Sequence, residues 1–154
     1  MGYVQNKYEG NPYKALAYNQ LLAEGFPNNQ WYILQRAELL TLTGKFEEAD
    51  AYIEKMEAFK SNYYTGAAYT LRGMREEVER KDLHKAEFWY TKAIRFPFEE
   101  RLTKDIRGLA YLGLARISYR EKKPLLFKKY LNLSANFIEY KNSLIEYKRL
   151  SHGK

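Results

Sequence analysis

Apolar side chains recur at helical spacing along most of the chain, in segments of about 13 to 24 residues. No segment alternates between apolar and polar residues over a useful length, which would be the pattern of a half-buried strand. Short breaks separate the segments, and they contain the residue types that start or end helices. The breaks are Gly10-Asn11-Pro12, Gly25-Phe26-Pro27-Asn28-Asn29, Thr43-Gly44-Lys45, Ser61-Asn62, Lys81-Asp82, Phe96-Pro97-Phe98 and Lys122-Lys123-Pro124. The pattern predicts an all-α fold whose consecutive helices are antiparallel, because the connections are short.

These breaks divide the chain into eight predicted helices. Their expected ranges are 12–24, 29–42, 46–60, 63–80, 83–96, 103–121, a helix that begins at Pro124, and a last helix over 139–150, with an extra turn at 98–101. We expect Asn28 or Asn29, and Asp82, to be N-caps, because short polar side chains accept hydrogen bonds from the free N–H groups of a first turn. Gly44 is expected to end a helix in the left-handed conformation.

An alanine-centred pattern recurs in the first, third and fifth predicted helices. Ala15 and Ala49 are 34 residues apart (49 − 15), and Ala86 follows after another 37 (86 − 49). An aromatic residue lies three positions after each alanine, at Tyr18, Tyr52 and Trp89. Residues three apart share one helical face, so the small residue admits a neighbouring helix and the aromatic ring fills the seam to the next hairpin. A period of this length indicates an array of helical hairpins.

The residues around these alanines resemble the tetratricopeptide repeat family. The best-matching unit has Ala37, Leu40, Gly44, Phe46, Ala49, Ile53 and Met56 at family-like spacing, and the next has Gly73, Asp82-Leu83, Ala86, Tyr90, Ala93 and Pro97, with an extra residue in its first helix. The first unit keeps only its second helix and Pro27-Asn28-Asn29, and the fourth keeps Leu112-Gly113-Leu114-Ala115. The resemblance extends over residues 11–135.

The resemblance implies one domain, an α-α superhelix of stacked antiparallel hairpins with a C-terminal capping helix. Its parts would be a partial unit at 1–28, units at 29–60, 61–97 and 98–136, and the cap at 137–154. Because the first unit lacks a partner helix, we expect the chain to be a fragment of a longer protein. Two alternatives are an irregular helical bundle and an RNA-reading pentatricopeptide array, whose near-uniform repeats differ from the unequal spacing here.

The resemblance also implies a concave groove, lined by the first helix of each hairpin, that binds a protein or an extended peptide. The corresponding positions are Trp31, Gln35, Glu38, Arg72, Arg75, Arg107 and Tyr111. Trp, Tyr and Arg are the residue types that carry most interface energy. The alternative interpretation of Trp31 is packing against the first helix. Leu34 and Glu38 stand where a carboxylate clamp of the family has Lys and Asn, so a clamp of that type is not expected.

Charge is distributed unevenly along the 154 residues, whose formal net charge is +7. Residues 101–154 hold 13 Lys or Arg and 4 Asp or Glu, whereas residues 1–100 hold 13 and 15. A basic patch of Lys122, Lys123, Lys128 and Lys129, with Tyr119 and Tyr130 available to stack on bases, makes nucleic-acid binding an alternative function. A solvated basic face is the simpler interpretation, and a structural spacer in a larger protein is a third function.

No constellation of catalytic residues is found, so we expect a non-enzymatic protein without cofactor or metal. The chain has no Cys, and its two histidines, His84 and His152, are far apart. The paired carboxylates Glu47-Glu48, Glu76-Glu77 and Glu99-Glu100 point about 100° apart on a helix, so we interpret them as charged faces. There is no glycine-rich phosphate loop, no targeting signal that would predict a compartment, and no apolar run long enough to span a membrane.

Overall fold

The computed structural model of the chain describes residues 11–95, 100–136 and 148–149. Within these ranges the fold is all-α, without strands. The helices are α1 (Pro12–Gly25), α2 (Gln30–Leu42), α3 (Phe46–Ala58), α4 (Asn62–Arg75), α5 (Leu83–Arg95), α6 (Glu100–Arg120) and α7 (Pro124–Ala135). A π-helical turn, Glu76–Arg80, continues α4. The predicted helix at 139–150 lies outside the described residues, except that 148–149 are helical.

Helix ends follow the local chemistry expected from the sequence. The side chain of Asn29 accepts a hydrogen bond from the backbone N–H of Tyr32 at 3.0 Å, so Asn29 is the N-cap of α2. Asp82 accepts from the N–H of Lys85 at 3.0 Å at the start of α5. Gly44 has a φ of 82°, the left-handed conformation that closes α2. These predicted caps are confirmed.

Two helix boundaries differ from the prediction. Helix α6 begins at Glu100, three residues before the expected start (103 − 100), and includes much of the turn expected at 98–101. The end of the predicted helix 63–80 is a π-helical turn, whose i→i+5 hydrogen bonds hold one more residue per turn than an α-helix. That turn lies in the helix where the expected repeat spacing places an extra residue. Lys81, with a φ of 56°, then ends it in the left-handed conformation.

Consecutive helices pack as antiparallel hairpins. The most extensive packing joins α6 with α7, α4 with α5, and α2 with α3, while α4 also contacts α2 and α6. Between hairpins, Arg72 of α4 pairs with Glu57 of α3, and Arg75 pairs with Asp50. The residue numbers rise along α4 as they fall along α3, which shows that these two helices run in opposite directions. The predicted stack of helix pairs is confirmed.

The recurring alanines are buried, as the repeat pattern predicts. Ala15, Ala49 and Ala86 are at most 6% exposed, because a neighbouring helix covers each of them. The aromatic residues three positions later differ in how far they are buried. Tyr52 and Trp89 are half-buried, but Tyr18 is 52% exposed, so the expectation that it fills a seam is wrong. Helix α1 packs mainly on α2, and its other faces remain accessible.

Tyr90 is the largest fully buried side chain and lies between α4 and α6. A Cβ atom added at Gly73 of α4 would lie 2.8 Å from the ring of Tyr90, and one added at Gly113 of α6 would lie closer still. Both distances are shorter than carbon atoms tolerate. The two glycines therefore allow both helices to approach the ring, and the ring sets the spacing between the third and fourth units.

This close approach predicts that Gly113→Ala destabilises the protein. The added methyl group forces the ring of Tyr90 or the backbone of α6 to move, and overpacking of this kind lowers the free energy of unfolding by about 1 to 3 kcal/mol. Gly25→Ala is the matched control, because a Cβ atom there meets nothing within 4 Å. Urea unfolding followed by circular dichroism measures both variants. Equal unfolding free energies for the two variants would contradict the packing described here.

Candidate functional site

Two of the predicted groove residues are inaccessible. Gln35 and Glu38 in α2 are 0% and 1% exposed. Their side chains lie inside the stack, so a partner cannot contact them without repacking α2. Their burial therefore removes them from the accessible surface that the repeat resemblance implied.

The predicted aromatic contacts lie at seams between helices. Trp31 is half-buried and stacks on Tyr63 of α4, with ring centroids 6.3 Å apart and an interplanar angle of 10°. Trp31 therefore stacks on a residue of α4, whereas the alternative interpretation placed it against the first helix. Tyr111 is also half-buried and stacks on Tyr130 of α7 at 6.4 Å. Arg107 lies half-buried in α6.

Arg72 and Arg75 of α4 are held in ion pairs with neighbouring carboxylates. The Nε and Nη2 atoms of Arg72 donate to Glu57 at 3.0 and 2.9 Å, which is a bidentate pair. Arg75 donates from Nη1 to Asp50 at 2.8 Å and from Nε to Glu79 at 2.7 Å. Hydrogen bonding to Glu57 and to Glu79 raises the pKa of Arg72 and of Arg75, respectively, against the opposing effect of burial. Both guanidinium groups therefore hold α3 against α4.

A cleft of about 220 Å³ lies beside these ion pairs, between the second and third units. We name it the hairpin cleft. Its lining residues are Thr41, Phe46, Ala49, Asp50, Ile53, Leu71, Arg72, Arg75, Glu76, Arg80 and Trp89. Each arginine in the lining has a carboxylate partner, since Arg80 also donates to Glu76 at 2.7 Å. The hairpin cleft therefore combines an apolar wall with arginines that are already paired.

A group of aromatic side chains, one exposed and two half-buried, borders the hairpin cleft. We name Tyr69, Phe88, Trp89 and Lys92 the aromatic–lysine surface. The ring of Trp89 lies 5.4 Å from that of Tyr69 and 5.2 Å from that of Phe88. The Nζ atom of Lys92 lies 4.8, 5.4 and 5.3 Å from the ring centroids of Tyr69, Phe88 and Trp89, all within cation–π range. Phe88 is 57% exposed.

Sequence reasoning did not identify this surface. The repeat pattern assigned Trp89 to a seam and gave Phe88 no role. Lys92 follows Phe88 by four residues and Trp89 by three, and this spacing, which places all of them on one side of α5, was an available signal. The contribution of Tyr69 depends on the packing of α4 against α5, which the local sequence does not encode.

A buried polar network joins the third and fourth units behind these surfaces. The hydroxyl of Tyr90 donates to Glu77 Oε1 at 2.7 Å. Arg116 donates from Nε to Oε2 at 2.7 Å and from Nη2 to Oε1 at 2.9 Å. Burial alone would raise the pKa of Glu77, but the hydrogen bonds and charge of Arg116 outweigh it and hold the pKa below the ordinary value of 4.5. Burial, followed by the charge of Glu77, raises the pKa of Tyr90 well above 10.0.

The Glu76-Glu77 pair corrects the sequence interpretation. We expected paired carboxylates to form charged, solvated faces, but Glu76 is 6% and Glu77 is 4% exposed. The π-helical turn places both residues in the interior, where Arg80 and Arg116 neutralise them. Glu47 and Glu48 are exposed at the start of α3, as expected, and Glu99-Glu100 lies where side chains are not described.

A second cleft, of about 600 Å³, lies at the end of the π-helical turn. Its lining residues are Glu77, Val78, Lys81, Leu83, Arg116 and Arg120. We name it the basic cleft, because three of these residues are cations and one is an anion. It lies between the turn that joins α4 to α5 and the C-terminal end of α6.

The predicted basic patch is exposed. Lys122, Lys123, Lys128 and Lys129 all lie on the surface of α7 or the turn before it. Nearby, Tyr119 is 49% exposed and its ring lies 5.4 Å from that of Phe127. Lys123 pairs with Glu121 at 3.1 Å, while Tyr130 is half-buried. The patch therefore offers cations and one exposed aromatic ring.

Metal-ligating residues do not cluster in the part of the chain that the structure describes, where no group of three His, Cys, Asp or Glu side chains could hold an ion. His84 is exposed in the first turn of α5, and His152 lies outside the described residues. Over the same part of the chain, no helix has both the length and the apolar character needed to cross a bilayer.

Comparisons with known proteins gave no relative. No protein-family model, no curated protein and no solved structure matches the chain. The functional assignment therefore depends on the geometry of the surfaces described above.

The buried network predicts that Glu77→Gln lowers the free energy of unfolding by about 3 kcal/mol near neutral pH, because Arg116 then loses its carboxylate partner in a largely buried position. Since folding lowers the pKa of Glu77, this stabilisation is complete above the ordinary value of 4.5 and is lost as the pH falls below it. The difference between wild type and variant should therefore shrink in acid.

Urea unfolding at neutral and acidic pH measures this effect. Glu24→Gln is the control, because Glu24 is exposed in α1 and should change stability little at either pH. A difference between wild type and Glu77→Gln that is the same at both pH values would contradict the network's role.

Proposed function

We propose that the chain is a non-enzymatic protein-interaction scaffold of the tetratricopeptide repeat type, which binds a protein or peptide segment at the aromatic–lysine surface and the adjoining hairpin cleft. The observation that carries this proposal is the exposure of Phe88 beside Trp89, Tyr69 and Lys92 on α4 and α5. An exposed aromatic side chain that continues into half-buried aromatic neighbours and is rimmed by charged groups is typical of binding surfaces.

The helix arrangement supports the repeat type. Hairpins follow one another along the chain, the recurring alanines are buried at the contacts between helices, and first helices α2, α4 and α6 contact each other in order. A stack of this kind exposes a long surface relative to its core, which suits binding of extended partners.

The composition of the aromatic–lysine surface suits an interface. Trp, Tyr and Arg are enriched among the residues whose truncation costs an interface most. Here Trp89 contacts both Tyr69 and the guanidinium of Arg72, whose carbon Cζ lies 5.6 Å from the ring centroid. Arg72 is itself fixed by Glu57. The rings are therefore held in place before a partner arrives, which reduces the entropy lost on binding.

The hairpin cleft adds a place for an apolar anchor. Trp89 forms part of both the cleft and the exposed surface, so the two are continuous. Because each of the cleft's arginines already has a carboxylate partner, an anion from a binding partner would compete with an existing pair. An uncharged apolar or aromatic side chain fits this site best.

This proposal predicts that Phe88→Ala weakens the binding of peptides selected against the folded chain. Linear peptides would be selected by phage display on the wild-type protein and their affinities measured by fluorescence anisotropy. Truncating a central aromatic side chain typically costs about 2 kcal/mol, or about thirtyfold in affinity. Tyr18→Ala is the matched control, because Tyr18 is similarly exposed on α1, away from this surface.

Peptides that bind wild type, Phe88→Ala and Tyr18→Ala equally would contradict the assignment of this surface. Selection that yields no binder at all would favour the structural spacer.

Nucleic-acid binding is the second candidate function, and the exposure of Lys122, Lys123, Lys128 and Lys129 beside Tyr119 favours it. Flexible lysines near an aromatic ring can follow a single-stranded backbone and stack a base. Each of the two surfaces has one exposed ring beside half-buried ones, but only the aromatic–lysine surface is continuous with a cleft, so we rank the basic patch second.

A salt titration with a labelled single-stranded oligonucleotide tests this candidate. If it is correct, affinity falls with salt, and the variant Lys128→Ala with Lys129→Ala reduces the slope of log affinity against log salt by about 0.7 for each phosphate that is no longer neutralised. Lys14→Ala with Lys85→Ala is the control, since both lysines are exposed on other helices. Absence of binding at low salt would exclude the patch as a nucleic-acid site.

A further inference from the structure

We propose that the basic cleft binds carboxylate groups of an acidic peptide segment, with an apolar side chain of the same segment packed beside them. The inference depends on the proposed function only in taking the ligand to be a peptide. The basic cleft is a second site, separate from the aromatic–lysine surface, and the segment that occupies it is negatively charged.

The fold brings three cations to one cavity from two parts of the chain. Lys81 ends the π-helical turn, while Arg116 and Arg120 lie one helical turn apart near the end of α6. The left-handed conformation of Lys81 and the hydrogen bond from the N–H of Asp82 to the carbonyl of Glu76, at 2.9 Å, fix the backbone at this wall. The cavity of about 600 Å³ is within the range of about 300 to 1,000 Å³ usual for ligand sites.

The cations that line the cleft outnumber its carboxylates. Its single carboxylate, Glu77, already accepts hydrogen bonds from Arg116 and Tyr90, and only 3% of its side chain is exposed. Lys81 and Arg120 are exposed, and the charge of Arg120 acts on Glu77 without an ion pair between the two side chains. The lining therefore has a surplus of two positive charges, from three cations and one anion. In the hairpin cleft, by contrast, the arginines have carboxylate partners.

Apolar side chains lie next to these cations. Val78 is 58% exposed and Leu83 is half-buried, and both line the cleft. A site with convergent charges and an apolar wall discriminates between ligands better than scattered surface lysines do. A free inorganic anion would use only the charges, whereas an acidic peptide with apolar neighbours would use both parts of the wall.

Lys81 and Arg120 also lie at helix C-termini, where a cation stabilises the exposed carbonyl groups. The thermal unfolding midpoint and the affinity distinguish that structural role from a role in binding. Removing a dipole-stabilising cation lowers the thermal unfolding midpoint, whereas removing a group that only binds the ligand lowers affinity and leaves the midpoint almost unchanged.

The test uses a fluorescein-labelled peptide of alternating Glu and Leu and a matched peptide of alternating Gln and Leu. We expect the Glu peptide to bind wild type at low salt at least tenfold more tightly than the Gln peptide. Lys81→Ala with Arg120→Ala should weaken binding of the Glu peptide at least tenfold. The control, Lys128→Ala with Lys129→Ala, removes the same charge outside the cleft and should change its affinity less than twofold. The thermal midpoint of each variant is measured alongside.

Equal losses in the two double variants would overturn the proposal, because they would show general attraction to a basic protein. Equal binding of the Gln peptide would overturn it as well. Competition distinguishes the sources of negative charge, since inorganic phosphate or a single-stranded oligonucleotide that displaces the Glu peptide at lower concentration than unlabelled peptide would assign the cleft to phosphate groups. If the Glu peptide fails to bind while display-selected peptides still require Phe88, this inference fails and the proposed function stands.

Discussion

Burial of the hydroxyl of Tyr90 is the constraint on which the junction of the third and fourth units depends. A buried phenol needs a hydrogen-bond partner, and its acceptor, Glu77, is a carboxylate that would be unstable in the interior without Arg116. The three groups come from the π-helical turn, α5 and α6, so none of these elements can rotate or slide without breaking the network. Gly73 and Gly113 let the two first helices approach the ring closely enough for it to form.

The π-helical turn places two adjacent carboxylates at different sites. Glu76 lines the hairpin cleft, while Glu77 lines the basic cleft. Each is neutralised by its own arginine, Arg80 for Glu76 and Arg116 for Glu77. The turn is therefore a shared wall of the two clefts, and a change in its backbone conformation would change the shape of both.

Local chemistry made the helices predictable, and long-range packing made the sites harder to predict. Asn29, Gly44 and Asp82 start or end helices through residues within a few positions of themselves, so these roles could be predicted from the sequence. The pairing of Glu77 with Arg116 spans 39 residues and requires the relative placement of α4 and α6. Gln35 and Glu38 were assigned to a groove by repeat position, but both side chains are buried, and repeat position alone does not determine how far a side chain is buried.

The two clefts differ in how their charges are balanced, and this difference bears on the kind of partner. In the hairpin cleft an incoming ion competes with pairs that are already formed, so apolar contact with Trp89 is the available source of affinity. In the basic cleft the surplus of cations can attract an anion without breaking a pair. Because Glu76 and Glu77 face different sides of the turn, one extended segment would have to bend around the end of α4 to reach both clefts. If two separate segments bind, one apolar and one acidic, neither has to bend, and less conformational entropy is lost for each of them.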